Sequence, residues 1–510
     1  MMFAQLRDVA RSRRDTVAIS NESSKITYGV LLDRALAFRE FFAKLGRPFV
    51  LLALPGGPEF TLVQLAALGA EAIHAPLPHK STTREVSSVI DLVAPDVVVV
   101  ESLQLQAGML SALREPAVIL SFAASDEGSK MGAHTVVTSA QVERGHSTLH
   151  TEARDHGIPA EVAMVQFTSG STGSPKGVLL TQAALLANLA GNNDHLARFE
   201  GQSVFCTVPQ FHAMGGAVVL EHVYAGSPTH VTNQFVPAED VRRMQASDAV
   251  ALLGSPNYFS LALRLGVLGA KHLPRLRSFT LGTAAADVET IRQLFVAYPN
   301  ASVHVRYGLS ESVGALTRLD LRAGDEPPPP GLVGSLVGDA SFAEALPRLG
   351  DGEPKEVVVR SSCNALGQLT SRNIWSPLLS GDSRNELRTG DCGYLDDHGR
   401  LHVRGRTTTF LKVNGYRISP FEIELALRSY PGVSDVVVVG PSDPVMGQKI
   451  VAAIEMHAGV AAPTELEYTR HCQAELAAHK RPHRYVWFEQ LPRTHAGKPD
   501  RNRILREIEA

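Results

Sequence analysis

Apolar and polar positions alternate along the first 400 residues with two different periods. Over Tyr28–Leu45, the residues Leu31, Leu32, Ala35, Phe38, Phe42 and Leu45 recur at the spacing that places them on one helical face. Gly46 follows as a stop. The unbroken run FVLLAL (49–54) has the length of a buried strand, and Glu59–Gly69 reads as a helix behind it. AMVQF (163–167) reads as another strand, and Pro327–Pro330 as a surface loop. Short apolar runs separated by amphipathic stretches predict an α/β class, with layers built on mainly parallel sheets.

After Arg406 the pattern changes. Phe410–Val413 reads as a short strand, Gly415 as a turn and Ser419–Glu422 (SPFE) as a helix start. Ser419 suits the cap, Pro420 the first turn, and Glu422 the reach back to the cap's N–H. A strand over 433–439 follows, and a second capped helix starts at Thr464–Glu467 (TELE). These elements predict a large N-terminal domain over 1–407 and a small α+β domain over 408–510. A chain of 510 residues exceeds one hydrophobic core, so about three packed units are expected.

Composition narrows the class of function. Hydrophobic residues make up 44% and charged residues 20%, an ordinary globular balance. The formal net charge of −3 leaves no electrostatic footprint for nucleic acid or an anionic membrane. Cys206, Cys363, Cys392 and Cys472 are far apart in sequence, which suits a reducing cytoplasm better than a zinc site or a disulfide framework. The first residues, MMFAQLRDVARSRRD, are charged too early for a signal peptide. Runs such as Val97–Val100 fall far short of the roughly 20 residues a spanning helix needs. A cytoplasmic protein without stable membrane insertion is expected.

The densest chemistry lies in TSGSTGSPKG (168–177). Thr168, Ser169, Gly170, Ser171, Thr172 and Gly173 offer hydroxyl and backbone N–H donors that can wrap phosphate oxygens, and Lys176 adds positive charge. The plainer alternative is a solvated Gly/Ser hairpin loop. A Walker loop requires G-x-x-x-x-G-K-[ST]; here Gly177 follows Lys176 and Ser174-Pro175 separates Gly173 from the lysine, so that reading fails on spacing.

Loop and length together resemble the adenylate-forming superfamily of acyl-CoA synthetases, peptide-synthetase adenylation domains and luciferases. Further motifs of that superfamily follow in order. VPQFHAMGG (208–216) resembles its aromatic-His segment, which implies that His212 shapes the acyl pocket. LGTAAA (281–286) resembles the segment on which adenine stacks, implying contacts from Gly282, Thr283 and Ala284. YGLSE (307–311) implies Tyr307 and Gly308 at the nucleotide, Ser310 at the α-phosphate and Glu311 on Mg²⁺. RTGD (388–391) with Arg406 implies a ribose site in which Asp391 accepts both hydroxyls. The Gly-Lys near the end of the sequence implies Lys498 as the catalytic residue of adenylation. KVNGYR (412–417) implies a passage past Gly415 for a pantetheine arm once the small, mobile domain has rotated. The usual hinge position holds Thr408 here.

The resemblance implies an enzyme that uses ATP and Mg²⁺ to activate a small carboxylic acid and passes the acyl group to coenzyme A. The alternative acceptor is the phosphopantetheine of an acyl or peptidyl carrier protein; no carrier module is visible in the sequence. Adenylation domains for amino acids carry an Asp just after the aromatic position, and FHAMGGA (211–217) has no acid. An apolar aliphatic or aryl acid is therefore expected. Small residues at Gly215, Gly216 and 284–286 suggest room for it. Arg306 is either structural or solvated, or the partner of a second substrate carboxylate. A P-loop ATPase, a non-catalytic nucleotide binder and a luciferase-like oxidase are the competing classes. The second should lack Lys498, Glu311 or Asp391, and all three are present.

Overall fold

The computed structural model describes residues 2–510 apart from 82, 146–152, 170–174, 373, 379–385, 408–409, 415 and 494–498. Two large sheets carry the first four hundred residues. In the nine-stranded one, Phe49–Ala53, Ile73–Pro76, Val97–Val100 and Val118–Ser121 run parallel and are buried along their whole length. Strands covered on both faces need such unbroken apolar runs. Val162–Ser169 joins beside Ile73–Pro76 and returns antiparallel as Pro175–Thr181.

The thirteen-stranded sheet also has a parallel centre. Val17–Ser20, Thr229–Val231, Val204–Cys206, Ala251–Gly254, Ser278–Leu281 and Ser302–Tyr307 are neighbours in that order. Beyond Tyr307 it turns antiparallel through Thr317–Arg322 and Leu332–Leu336 to the hairpin Glu386–Leu395/Leu401–Arg406. The α/β class is as expected, but both sheets are mixed. A parallel neighbour needs a crossover of a dozen or more residues, and the connections 21–24, 308–316 and 323–331 are too short for one.

The helices Tyr28–Lys44, Pro58–Gly69 and Ala213–Tyr224 lie between the sheets. One continuous core joins them to Val50, Val97 and Val99 of one sheet and to Val204, Cys206 and Leu253 of the other. Pro58–Gly69 is buried almost all round, which its apolar sequence allows. Thr27 accepts the Val30 N–H to start the first of these helices, and Gly46, at φ +82°, releases the chain after its end.

From Leu411 onward a separate core forms. Leu411, Ile418, Leu427, Val436, Ile454 and Tyr468 pack together. Val433–Val439 pairs antiparallel with Val451–Met456, which pairs parallel with Arg484–Phe488. With the helices Pro420–Arg428 and Glu465–Glu475 this makes a small α+β unit. The expected reciprocal cap forms at its second helix: Thr464 N–H donates to Glu467 Oε2 at 2.9 Å and Glu467 N–H to Thr464 Oγ1 at 3.3 Å. The expected cap at Ser419 does not form. Ser419 Oγ donates instead to the Arg404 carbonyl, and Glu422 takes Lys480 at 2.7 Å. Partners distant in sequence win over the local ones. Among the described residues, no helix is long and apolar enough to cross a membrane.

Candidate active site

Several of the singled-out residues stand at or just beyond the carboxyl ends of the parallel strands, where open α/β sheets offer a crevice. Gly282 and Thr283 follow the strand Ser278–Leu281, Tyr307 ends Ser302–Tyr307, and His212 follows Val204–Cys206 by a short loop.

Asp391 and Arg406 stand directly opposite each other in the hairpin. Arg406 Nε donates to Asp391 Oδ1 at 3.1 Å, and the Tyr307 hydroxyl donates to Oδ2 at 2.7 Å. Burial first, then the adjacent carboxylate, push the Tyr307 phenol well above its ordinary pKa, so it stays a donor. An ionised carboxylate offers about four lone-pair sites. Two go to Tyr307 and Arg406, leaving capacity for a ligand's hydroxyls. Thr389 Oγ1 fixes the turn by accepting the Asp391 N–H at 3.1 Å and donating to Val357 at 2.9 Å. Arg388 is held elsewhere, by Glu356 and Glu344.

The segment after Tyr307 folds back on itself. A Cβ at Gly308 would stand 1.4 Å from the Gly314 carbonyl oxygen. Ser310–Ser312 form a single 3-10 turn, with Val313 left-handed at φ +58°. Two consecutive backbone bonds then tie this turn to the strand carrying Lys176: Ala365 N–H to the Glu311 carbonyl at 2.7 Å, and Leu366 N–H to the Leu179 carbonyl at 2.9 Å. Half-buried Glu311 and Lys176 are thereby held on neighbouring elements. Thr168 pairs across the ladder with Lys176 and Ser169 with Pro175, so the backbone is a hairpin. Gly170, Ser171, Thr172 and Gly173 lie outside the described residues, as do Thr408, Gly415 and Lys498.

His212 stands at the N-cap of Ala213–Tyr224, its ring 4.5 Å from that of Phe211. Gln166 Nε2 donates to the Phe211 carbonyl at 3.0 Å, linking this corner to the strand Val162–Ser169. The room expected at Gly215 and Gly216 is not there. A Cβ at Gly215 would meet the Pro209 oxygen at 2.2 Å and one at Gly216 the Gln210 oxygen at 2.9 Å, so these glycines serve close backbone approach. Met214 fills the space over Gly282, with Sδ and Cε 2.4 Å from where a Cβ would stand. Thr283 sits at φ +72°, a strain on the order of 1–3 kcal/mol. Ala284 and Ala285 are exposed, while Ala286 packs against the core.

Sequence reasoning missed Glu221. Arg306 donates to both its oxygens, at 2.9 and 3.0 Å, with both side chains buried. The signal was an acid in the middle of an apolar helix, AMGGAVVLEHVY. Elsewhere, His195, His304 and Asp320 offer three ligand atoms within 4.8 Å of one another. Asp320 is already held by His304 at 2.6 Å and Arg318 at 3.0 Å, and burial with nearby cations drives the His195 pKa far down. That surrounding disfavours a metal ion.

In the small unit, Arg493 and Pro499 are joined by an antiparallel bridge. Arg493 holds Asp435 at 2.9 Å and Glu455 at 3.4 Å. Glu455 lies close enough to Arg264 of the large unit to oppose the fall that burial imposes on that guanidinium's pKa, and His457 is close to Asp287.

A model of the AMP-binding enzyme matches residues 6–368, and one of the AMP-binding enzyme C-terminal domain matches residues 422–498. The long-chain-fatty-acid–CoA ligase of Bacillus subtilis (strain 168) is 27% identical over 351 residues, which span 68% of this chain and 62% of that one. The sulfoacetate–CoA ligase of Cupriavidus necator is 30% identical over 365 residues, 68% of this chain and 67% of that one. The crystal structure of ATP-bound MatB from Rhodopseudomonas palustris shares the fold, with a TM-score of 0.78 at 23% identity over 99% of this chain and 98% of that one.

Proposed function

The chain belongs to the AMP-binding enzyme family, and from that premise we propose that it is an ATP-dependent acid–thiol ligase. A substrate carboxylate attacks the α-phosphorus of ATP and pyrophosphate leaves. A thiol then attacks the acyl carbonyl, AMP leaves and a thioester forms. The observation that carries this reading is the buried Asp391 carboxylate, donated to by Tyr307 and Arg406 yet with lone pairs to spare. It is a ribose site beside a phosphate-facing turn.

The residue roles follow from charge. Both reactants are anionic, so rate must come from orientation and fixed positive charge. Lys176 and the loop N–H groups hold the β- and γ-phosphates, Ser310 the α-phosphate, and Tyr307 with Gly282–Ala284 the adenine. Glu311, a hard oxygen ligand, would hold Mg²⁺, which would neutralise the leaving pyrophosphate. Lys498 meets the charge that builds at the attacked phosphorus. We set the domain boundary at 407, with Thr408 as the hinge; rotation of the small domain would bring Gly415 to the site for the thiol step.

The structure's own charges support an apolar acid. The helix that starts at His212 contains one carboxylate, Glu221, and Arg306 consumes it, leaving no partner there for an α-ammonium group. The same pairing removes Arg306 as a receptor for a second carboxylate. The matched relatives act on acids as different as a long-chain fatty acid and sulfoacetate by name, so the acid is read from these contacts. Coenzyme A is the acceptor we favour, with carrier-bound phosphopantetheine second. Cys206, Cys363, Cys392 and Cys472 are all buried and none is in a disulfide, which suits a cytoplasmic setting.

A pyrophosphate-release screen over acids of differing chain length and ring type, with CoA and then with a carrier protein, tests the reading. Mass spectrometry should find AMP and a thioester; ADP as the nucleotide product would refute it. Lys498→Ala should lose roughly 10²–10³ in adenylation while largely keeping thioester formation from pre-made acyl-AMP. An equal loss in both halves would sink the two-orientation account.

A further inference from the structure

We propose a second anion site, for a small phosphate-bearing ligand, in a surface cavity at the opposite end of the central sheet from Tyr307. The cavity has a volume of about 450 Å³ and is lined by Arg198, Phe199, Arg277, Ser278, Ser302 and Arg322, among others. Ser278 and Ser302 begin the two parallel strands whose far ends lead to Gly282 and Tyr307. At the rise of a strand this puts the cavity roughly 15 Å from the ribose site. Arg322 stands opposite Ser302 in the antiparallel ladder, and Arg198 comes from the turn Ala197–Phe199.

Three exposed arginines line it, and no Asp or Glu is among the lining residues. Among the described residues none of the three is ion-paired, whereas Arg13, Arg34, Arg154, Arg243 and Arg360 each hold a carboxylate. The acids nearest in sequence are engaged elsewhere. Glu200 takes Arg13 at 2.6 Å, Asp320 takes His304 and Arg318, and Asp325 accepts the backbone N–H of Arg322. Arg277 donates to the neutral side chain of Gln202. Like charges gathered without counter-charge repel one another, and in a chain of net charge −3 carboxylates to relieve them are plentiful. The arrangement makes sense if an anion completes it.

A second observation points the same way. Ser278 is 2% exposed, and its hydroxyl has no hydrogen-bond partner among the described residues. A buried hydroxyl left unpaired costs free energy that a ligand oxygen at the cavity floor would recover. Planar guanidinium forks match phosphate oxygens in pairs, a concave wall strengthens their field, and the volume lies within the range of small-molecule sites.

The test is calorimetric titration of the full-length protein with inorganic tripolyphosphate. Wild type is compared with Arg277→Ala and with the Arg198→Ala/Arg322→Ala double variant, after each variant is shown to unfold at the wild-type midpoint. The adenylation site contributes the same component to every protein, so its binding does not confuse the comparison. One binding component should weaken by about tenfold or more in both variants, the loss of at least one charge-assisted hydrogen bond. It should also weaken with added salt, while pyrophosphate release without added ligand stays unchanged. Identical isotherms in wild type and both variants would overturn the proposal. So would tight binding of an acidic peptide together with no Arg-dependent binding of tripolyphosphate, which would make the cavity a protein-docking surface.

Discussion

Replacing Glu221 by leucine should destabilise the large unit more than replacing Arg306 by methionine, and replacing both should cost less than either change alone. The side chains are 1% and 5% exposed. Besides the two bonds from Arg306, Glu221 Oε1 accepts Asn188 Nδ2 at 2.9 Å and Asn192 Nδ2 at 3.2 Å. Removing one partner of a buried ion pair typically costs about 3–5 kcal/mol. Glu221→Leu also strands two amides, at about 1 kcal/mol each, and so falls at or above the upper end. Arg306→Met leaves the carboxylate with two amide donors and falls near the lower end, about 3 kcal/mol. The double variant buries no charge and strands only the amides, about 2 kcal/mol. The coupling between the sites is then several kcal/mol and strongly non-additive. Urea unfolding in a Trp487→Phe background isolates the large unit, because Trp375 is then the remaining tryptophan. Additive losses, or a Glu221→Leu cost below about 1 kcal/mol, would refute the assignment of this pair as a buried hub.

Three further outcomes follow from other parts of the molecule. Gly308→Ala should abolish adenylation, because the new Cβ meets backbone at 1.4 Å and the turn carrying Ser310 and Glu311 must open; wild-type pyrophosphate release from this variant would contradict the packing. Arg406→Ala should raise KM for ATP about tenfold, the value of one charged hydrogen bond, and leave the unfolding midpoint in place, since this side chain is 55% exposed. Acid should destabilise the fold through buried histidines. Burial lowers His74 to about 4 and His222 to about 3, so the folded state binds fewer protons than the unfolded one, whose imidazoles titrate near 6.5. Stability is therefore complete above about pH 6.5 and falls as pH drops towards the folded values, by about 2 kcal/mol per histidine at pH 5. His74→Gln should flatten the dependence of Tm on pH between 7 and 5, and an unchanged slope would exclude His74 as a contributor.

What could be read from the sequence is what depends on near neighbours. The strand Phe49–Ala53 and the helix Tyr28–Lys44 announce themselves because each carries its own burial pattern and stop signal. The cap at Thr464 and Glu467 is equally local. Asp391 and Arg406 could be singled out together because a single hairpin makes them cross-strand partners. Where a distant group competes, local rules give way: Ser419 prefers the Arg404 carbonyl and Glu422 prefers Lys480. Gly215 looked like an opening for substrate, and only the approach of Pro209 shows that backbone already occupies the space.

The same distinction separates the two ends of the central sheet. At its carboxyl edge the residues proposed to face the nucleotide sit in motifs of a few consecutive positions, so each motif can be recognised alone. The arginine cavity at the other edge draws Arg198, Arg277 and Arg322 from three segments with no motif in common, brought together by the order of the strands. Glu221 and Arg306 lie between these edges, 85 residues apart in sequence, on the helix that starts at His212 and the strand that ends at Tyr307. Their pairing ties that helix to that strand. Under the proposed function it also bears on the acid, since Glu221 is neutralised by Arg306 and Met214 lies over Gly282. A charge that at first sight could have recognised substrate is instead spent on holding the helix in place.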